Sequence, residues 1–214
     1  MLVHSLVMSQ YKRPRGLVGL IVAGSLARRA THVERNDWTV DCLDLRPGMR
    51  ILEIGCGPGL GVEACSRKLE GGSILGIDHS RLMVRKARSR NRAAIRDKRA
   101  EIRLCTLDDV AGSDGPFDHI YSINAIQYLG SLNRVFERIH ALLADGGQVA
   151  STYQSRSRHP TRTDALDMAA RIEAAMEAAG FHHMLHHELL SAEVPAICVV
   201  GQKDPSVPEV SGGI

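Results

Sequence analysis

No two cysteines in this 214-residue chain are spaced as C-x-x-C, and the five that occur (Cys42, Cys56, Cys65, Cys105, Cys198) are an odd number. A zinc knuckle or a disulfide framework is therefore not expected, and a reducing cytoplasm fits best. Long hydrophobic runs are missing too. The longest, residues 16–27, is about half of the ~20 residues that span a bilayer, so no membrane span is expected. The opening MLVHSLVMSQYKRPRG has no charged start and no small-residue cleavage site, and does not read as a signal peptide. Net charge is low as well. With 27 basic residues against 24 acidic ones, the excess of +3 is too small to point to nucleic acid by itself. There is no internal repeat and no low-complexity linker. With 44% apolar and 24% charged residues, the chain has the composition of a soluble globular protein with one substantial core.

What is present is alternation. Residues 49–54 form a short apolar run ending in glycines, the pattern of a buried strand, and residues 60–69 follow as a helix stopped by Gly71-Gly72. A second strand, 73–77, leads to Ser80, which is placed to cap the next helix. Residues 101–105 and 117–123 supply two more strands, joined by a short acidic connection. Leu132, Val135, Phe136, Ile139, Leu142 and Leu143 repeat as one buried helical face. Asp145-Gly146-Gly147 then turns the chain into a fifth strand ending near Tyr153, and a helix follows over 164–179. The last two strands, 181–188 and 196–201, are too close for a crossover helix and form an antiparallel hairpin. The expected fold is α/β: a seven-stranded, mostly parallel sheet with helices on both faces. Residues 1–45 form a helical lid or flanking segment, 46–203 the core and 204–214 a tail.

The loop after the first strand reads Glu53-Ile54-Gly55-Cys56-Gly57-Pro58-Gly59. In an open parallel sheet this is where ligands bind, outside the carboxyl ends of the strands. Glycines let a ligand approach the backbone, and the following helix offers N–H groups to a carboxylate or a phosphate. A dinucleotide fingerprint needs G-x-G-x-x-G, and its sixth position is Leu60 or Val62 here, which argues against a dehydrogenase. The G-x-G-x-G spacing with Glu53 ahead resembles the first motif of class I S-adenosylmethionine-dependent methyltransferases. The likeness continues in order through Gly76-Ile77-Asp78, Phe117-Asp118-His119-Ile120 and Leu143-Ala144-Asp145-Gly146-Gly147. It covers roughly residues 45–201 and implies the Rossmann-like fold of that family.

The resemblance implies a cofactor, S-adenosylmethionine, and a set of contacts. Gly55, Cys56, Gly57 and Gly59 would form the loop that receives its carboxylate. Glu53 would serve its ammonium or brace the loop. Asp78, with His79 beside it, would accept the ribose hydroxyls, and Met83 would pack on the adenine or simply fill the core. Where the family often has Asp at the end of the third strand, this chain has Thr106, so Thr106 or the Leu107 backbone is left to meet the adenine; Asp109 can instead cap a short turn. The end of the fourth strand corresponds to the segment beside the transferred methyl, which makes Asn124 both a cofactor and a substrate candidate. Tyr128, Tyr153, His159 (as a base or a solvated loop residue) and Tyr11 complete the substrate side.

The stretch from Pro14-Arg15-Gly16 through Glu34-Arg35-Asn36-Asp37-Trp38 looks similar to the leader of small bacterial methyltransferases, which favours a small organic acceptor methylated at oxygen or nitrogen. Tyr11 and a helix over 17–26 are candidates to close the pocket. Two alternatives stay open. Ten Lys or Arg between Arg81 and Arg103 can serve an RNA methyltransferase or form a solvated helix face, although no aromatic residue is interleaved to stack on bases. A non-catalytic cofactor-binding protein is the other. No metal is expected: on a regular strand His182 and His186 share one face and His183 and His187 the other. Same-face partners then stand ~13 Å apart, far beyond the ~2 Å of a zinc–nitrogen bond.

Overall fold

The computed structural model describes residues 30–156, 159–190 and 195–205. Strand β1 (Arg50–Ile54) has four consecutive buried residues, the pattern of a strand covered on both faces. It lies between β2 (Ser73–Asp78) and β4 (Phe117–Ile123), parallel to both. β3 (Ala100–Leu104) adds parallel to β2, and β5 (Leu143–Tyr153) parallel to β4. β7 (Ala196–Lys203) runs antiparallel between β5 and β6 (Phe181–Leu189). The order is β3-β2-β1-β4-β5-β7-β6, so the strand order reverses between β1 and β4. This is the expected seven-stranded sheet with its terminal hairpin.

Two apolar layers sandwich it. On one face α5 (Leu132–Leu142) and α6 (Arg162–Ala178) bury Phe136, Ile139, Ile172 and Met176 against Ile120, Val149 and Val199. Phe136 meets Phe181 edge-on with ring centroids 6.4 Å apart. Fully burying such a ring stabilises by about 1.5–3 kcal/mol. On the other face lie α1 (Ala30–Asp41), α2 (Leu60–Lys68), α3 (Arg81–Arg90) and the short α4 (Arg92–Arg96). They pack Val40, Val62, Val84 and Ala94 on Ile51, Ile74 and Ile102. α3 starts where expected, with the Met83 N–H donating to the Ser80 hydroxyl at 3.5 Å.

Two strands depart from expectation, both at bulges. β5 begins at Leu143, ahead of the glycine pair. The register passes from Phe117↔Leu143 to His119↔Gln148, so β5 loops out between those pairs instead of turning beforehand. Gly146 supplies a φ of +76°, and a Cβ on Gly147 would lie 2.8 Å from the Asp118 carbonyl oxygen. In β6 the register slips by one residue between His182↔Gln202 and Leu185↔Val200, with His183 at φ 52°. The extra residue reverses the alternation, so His182 and His186 do not share a face as a regular strand requires. His186 stands 3.2 Å from Glu173 of α6, His187 lies with Trp38 and Lys68, and His182 is 3.6 Å from Asp204. Among the described residues no three metal-ligating side chains come together, and no helix is long and apolar enough to cross a membrane.

Candidate functional site

Where the strand order reverses, β1 delivers Glu53 and the glycine loop. Gly55 has φ +69°, and a Cβ on it would meet the Ala125 Cβ at 2.4 Å. Glycine therefore lets the segment after β4 press against the loop. Asp78, at the end of β2, ties the loop down from the other side. Its Oδ2 accepts the Gly57 N–H at 2.9 Å and its Oδ1 accepts the Ser80 N–H at 2.8 Å. Burial raises the Asp78 pKa, and these two N–H groups pull against the rise. Each oxygen keeps a second acceptor position, so Asp78 holds two backbone segments and can still receive ligand hydroxyls. The N–H of Cys56 goes to the Ile77 carbonyl and that of Gly59 to Cys56, both at 2.9 Å. With Gly57 also engaged, the Val62 N–H turned to Glu53 and the Glu63 N–H to the Gly59 carbonyl, the donors left to an anion here are the first N–H groups of α2, at Leu60 and Gly61, which have no partner inside the helix.

Glu53 is 2% exposed, and its Oε2 has no hydrogen-bond partner. Burial, opposed by the Tyr121 hydroxyl and the Val62 N–H and reinforced by Asp78, pushes its carboxyl up to about 8. The carboxylate sits directly against α2: a Cβ on Gly61 would fall 2.3 Å from Glu53 Oε1.

The opposite wall is built by α1 and the ends of β4 and β5. Asn124 adopts a left-handed φ of 52°; its N–H donates to the Thr152 carbonyl and its Oδ1 accepts the Gln154 N–H, both at 2.9 Å. The Gln154 side chain in turn accepts Arg35 Nη1 at 2.5 Å, and Arg35 Nη2 lies 2.9 Å from His32 Nδ1. Arg35 is only 3% exposed, and its Nε, like Asn124 Nδ2, is buried without a partner. Burial, with Arg156 nearby, pushes the guanidinium down to about 9, still cationic at neutral pH. Thr39 on the same helix face meets Thr152 at 2.8 Å.

These walls enclose a cavity of ≈ 250 Å³. Of the residues singled out from sequence, Glu53, Gly55, Cys56, Gly57, Asp78, His79, Met83, Asn124 and Tyr128 line it. Gly59 does not; at φ +81° it begins α2, and a Cβ there would lie 2.9 Å from the Ala87 Cα of α3. Thr106 and Leu107 lie off the wall. Thr106 donates both its N–H and its hydroxyl to Asp109 Oδ2, at 2.8 and 2.7 Å, and Leu107 is in the core. Tyr153 packs against the core on the α5–α6 side, and His159 is exposed beyond β5. Tyr11 and the helix expected over 17–26 lie outside the described residues.

Sequence reasoning did not select His32, Arg35, Asn36 or Arg156, all of which line the cavity. The signal was there in part: His32, Arg35, Asn36 and Thr39 repeat at helical spacing. A polar stripe, however, normally marks a solvated face, and here Arg35, Asn36 and Thr39 are buried. Half of the basic stretch is engaged by the protein itself. Arg88 donates to the Ile102 carbonyl, Arg90 pairs with Glu63, Arg96 and Arg99 with Asp97, and Arg103 with Glu101 and Asp114.

Comparison with known proteins agrees with this architecture. Residues 52–149 match the family described as Methyltransferase domain. The chain is 31% identical over 156 residues to a 24-methylenesterol C-methyltransferase 2 of Oryza sativa subsp. japonica, covering 71% of this chain and 42% of that protein. It is 29% identical over 112 residues to a trans-aconitate 2-methyltransferase of Variovorax paradoxus, covering 52% of this chain and 41% of the relative. The chain thus spans about two fifths of the length of these curated relatives. Among solved structures, a geranyl diphosphate methyltransferase in complex with GPP and sinefungin superposes with a TM-score of 0.64 at 15% identity, covering 80% of this chain and 79% of that one. With this sheet order, this loop and these relatives, the chain belongs to the class I S-adenosylmethionine-dependent methyltransferases.

Proposed function

We propose that the protein transfers a methyl group from S-adenosylmethionine to an oxygen or nitrogen of a small organic acceptor. The observation that carries this reading is one cavity with two unlike walls: the glycine loop with Glu53 and Asp78 on one side, Asn124 and Tyr128 on the other. The first wall fits the cofactor. The orphaned Glu53 oxygen suits an ammonium, Asp78 suits the ribose diol, and the start of α2 suits a carboxylate. Bound there, the cofactor supplies a sulfonium-activated methyl group.

The protein's contribution is alignment and exclusion of water, since in-line displacement of a sulfonium needs orientation more than it needs a base. Asn124, fixed through Gln154, orients what lies beside the methyl. On the acceptor side α1, part of the flanking segment, forms one wall. The relatives named for a sterol and for trans-aconitate support a small-molecule acceptor. The RNA alternative loses support because half of its basic stripe is engaged internally.

Calorimetric titration with S-adenosylhomocysteine, followed by transfer of labelled methyl from the cofactor into a small-molecule extract, tests the proposal. Binding with label entering low-mass products supports it. Binding with no transfer to any acceptor would identify a non-catalytic cofactor-binding protein, label in RNA would select the alternative, and no binding would end the reading.

A further inference from the structure

Arg35 is the least economical residue in the molecule. A guanidinium taken out of water normally meets a carboxylate, because an unpaired buried charge is costly. Arg35 is 3% exposed, yet its two named partners, Gln154 and His32, carry no carboxylate, and its Nε has no partner. Among the described residues no Asp or Glu pairs with it, and its charged neighbour is Arg156, of the same sign. In the sequence no Asp or Glu precedes Glu34.

The position of this charge is as telling as its isolation. Arg35 is joined through Gln154 to Asn124, whose Nδ2 is a second buried N–H donor without an acceptor. Both residues line the cavity. Among the cavity-lining residues of this wall the unmet side-chain groups are donors, Arg35 Nε and Asn124 Nδ2; the unmet acceptor in the cavity, Glu53 Oε2, belongs to the opposite wall. A ligand that completes the α1 wall must bring oxygen acceptors and negative charge.

We infer that the acceptor of this enzyme is an anion, and that Arg35, steadied by Gln154 and supported by Arg156 and Asn124, binds its carboxylate or phosphate group. This rests on the methyltransferase reading above. The cofactor itself is the other source of a carboxylate, but it is a poor match for the basic wall. Its ammonium and sulfonium make it a net cation, and the opening turn of α2 already offers N–H donors to its one carboxylate. An anionic acceptor meets the guanidinium and draws its nucleophile toward Asn124 and Tyr128. Arg35 acts here as a specificity-determining and positioning residue.

The test uses the full chain saturated with S-adenosylhomocysteine and titrated with phenyl phosphate, 4-hydroxybenzoate and the neutral 4-hydroxybenzamide. The expected result is that at least one anion binds tenfold or more tighter than the amide. That preference disappears in Arg35→Gln and Arg35→Met, two neutral variants that do not depend on each other's folding, and survives in part in Arg35→Lys. S-adenosylhomocysteine itself binds the neutral variants within about threefold of the wild type. Equal binding of anions and amide by the wild type, or a preference that persists in both neutral variants, overturns the inference. So does a tenfold loss of S-adenosylhomocysteine affinity with 5′-methylthioadenosine, which lacks the carboxylate, unaffected; Arg35 would then belong to the cofactor. Failure of the wild type to bind S-adenosylhomocysteine at all would instead strike the methyltransferase reading.

Discussion

The two walls of the cavity are built on opposite principles. The wall from β1 and β2 carries buried carboxylates, Glu53 and Asp78, held by backbone at the ends of parallel strands. The wall from α1 and the ends of β4 and β5 carries a buried cation and side-chain amides, held mainly through one another. The first is a product of the chain's most regular region, the parallel strands. The second depends on a helix outside the sheet that buries polar residues where a helix usually buries apolar ones. On the proposed reading, the fixed wall holds the cofactor and the adaptable wall selects the acceptor. Substitutions on the first should then change cofactor affinity, and substitutions on the second acceptor choice.

The largest effect is expected at Asp78. Asp78→Ala removes the acceptor for the Gly57 and Ser80 N–H groups together with the proposed ribose contact. Charge-assisted hydrogen bonds are worth about 1.5–3 kcal/mol each, so cofactor affinity should fall by about 100-fold. Calorimetry with S-adenosylhomocysteine measures this, and a loss below threefold would detach Asp78 from the cofactor. Glu53→Gln should act next, through pH. The Glu53 pKa is raised to about 8 in the folded protein against an ordinary 4.5, so the folded state holds the proton more tightly. Its contribution to stability is therefore lost as pH rises from 4.5 to 8, at up to about 1.4 kcal/mol per pH unit. Glu53→Gln should flatten that part of the melting profile of the ligand-free protein. In the wild type, affinity for the ammonium-bearing cofactor product should climb toward pH 8, because only the ionised carboxyl attracts it; in Glu53→Gln it should not. Parallel profiles in the two proteins would mean that Glu53 only braces the loop.

The first wall was readable from sequence because its determinants are local. Residues 53–59 are contiguous, glycine spacing reports backbone geometry directly, and Asp78 ends an unmistakable apolar run. The mostly parallel sheet and its terminal hairpin followed from alternation and from a connection too short for a crossover. The bulges did not, since whether Gly146-Gly147 turns the chain or loops out of a strand depends on the approach of Asp118, far away in sequence. His183 gave no warning of its left-handed backbone. Arg35 was hidden for a different reason. Hydrophobic periodicity finds buried faces by their apolar residues, and the buried face of α1 is Arg35, Asn36, Thr39 and Val40. Only the fold shows that Gln154 and Thr152 wait opposite them.

That difference predicts an unusual response at Arg35. In the ligand-free protein the guanidinium is desolvated without a carboxylate partner, so Arg35→Met should leave the melting midpoint unchanged or raise it by a few degrees, at about 2–4 °C per kcal/mol for a chain of this size. The partners it leaves, Gln154 and His32, limit the gain. A fall of more than about 5 °C would show that Arg35 holds the fold together and is not waiting for a ligand.

Thr106 should show the smallest effect and is the sharpest check on how far the family pattern reaches. The resemblance puts it where an adenine contact is common, but its N–H and hydroxyl both turn to Asp109, closing a tight turn off the cavity wall. Thr106→Val keeps the shape and the N–H bond and removes only the hydroxyl bond. At this exposed position that costs about 0.5–1 kcal/mol of stability at most. Cofactor affinity, by calorimetry, should stay within about twofold, because the group removed already has a partner in the turn. A tenfold loss would mean that the turn opens on binding and hands the hydroxyl to the adenine, in which case the wall now seen as fixed would itself be adaptable.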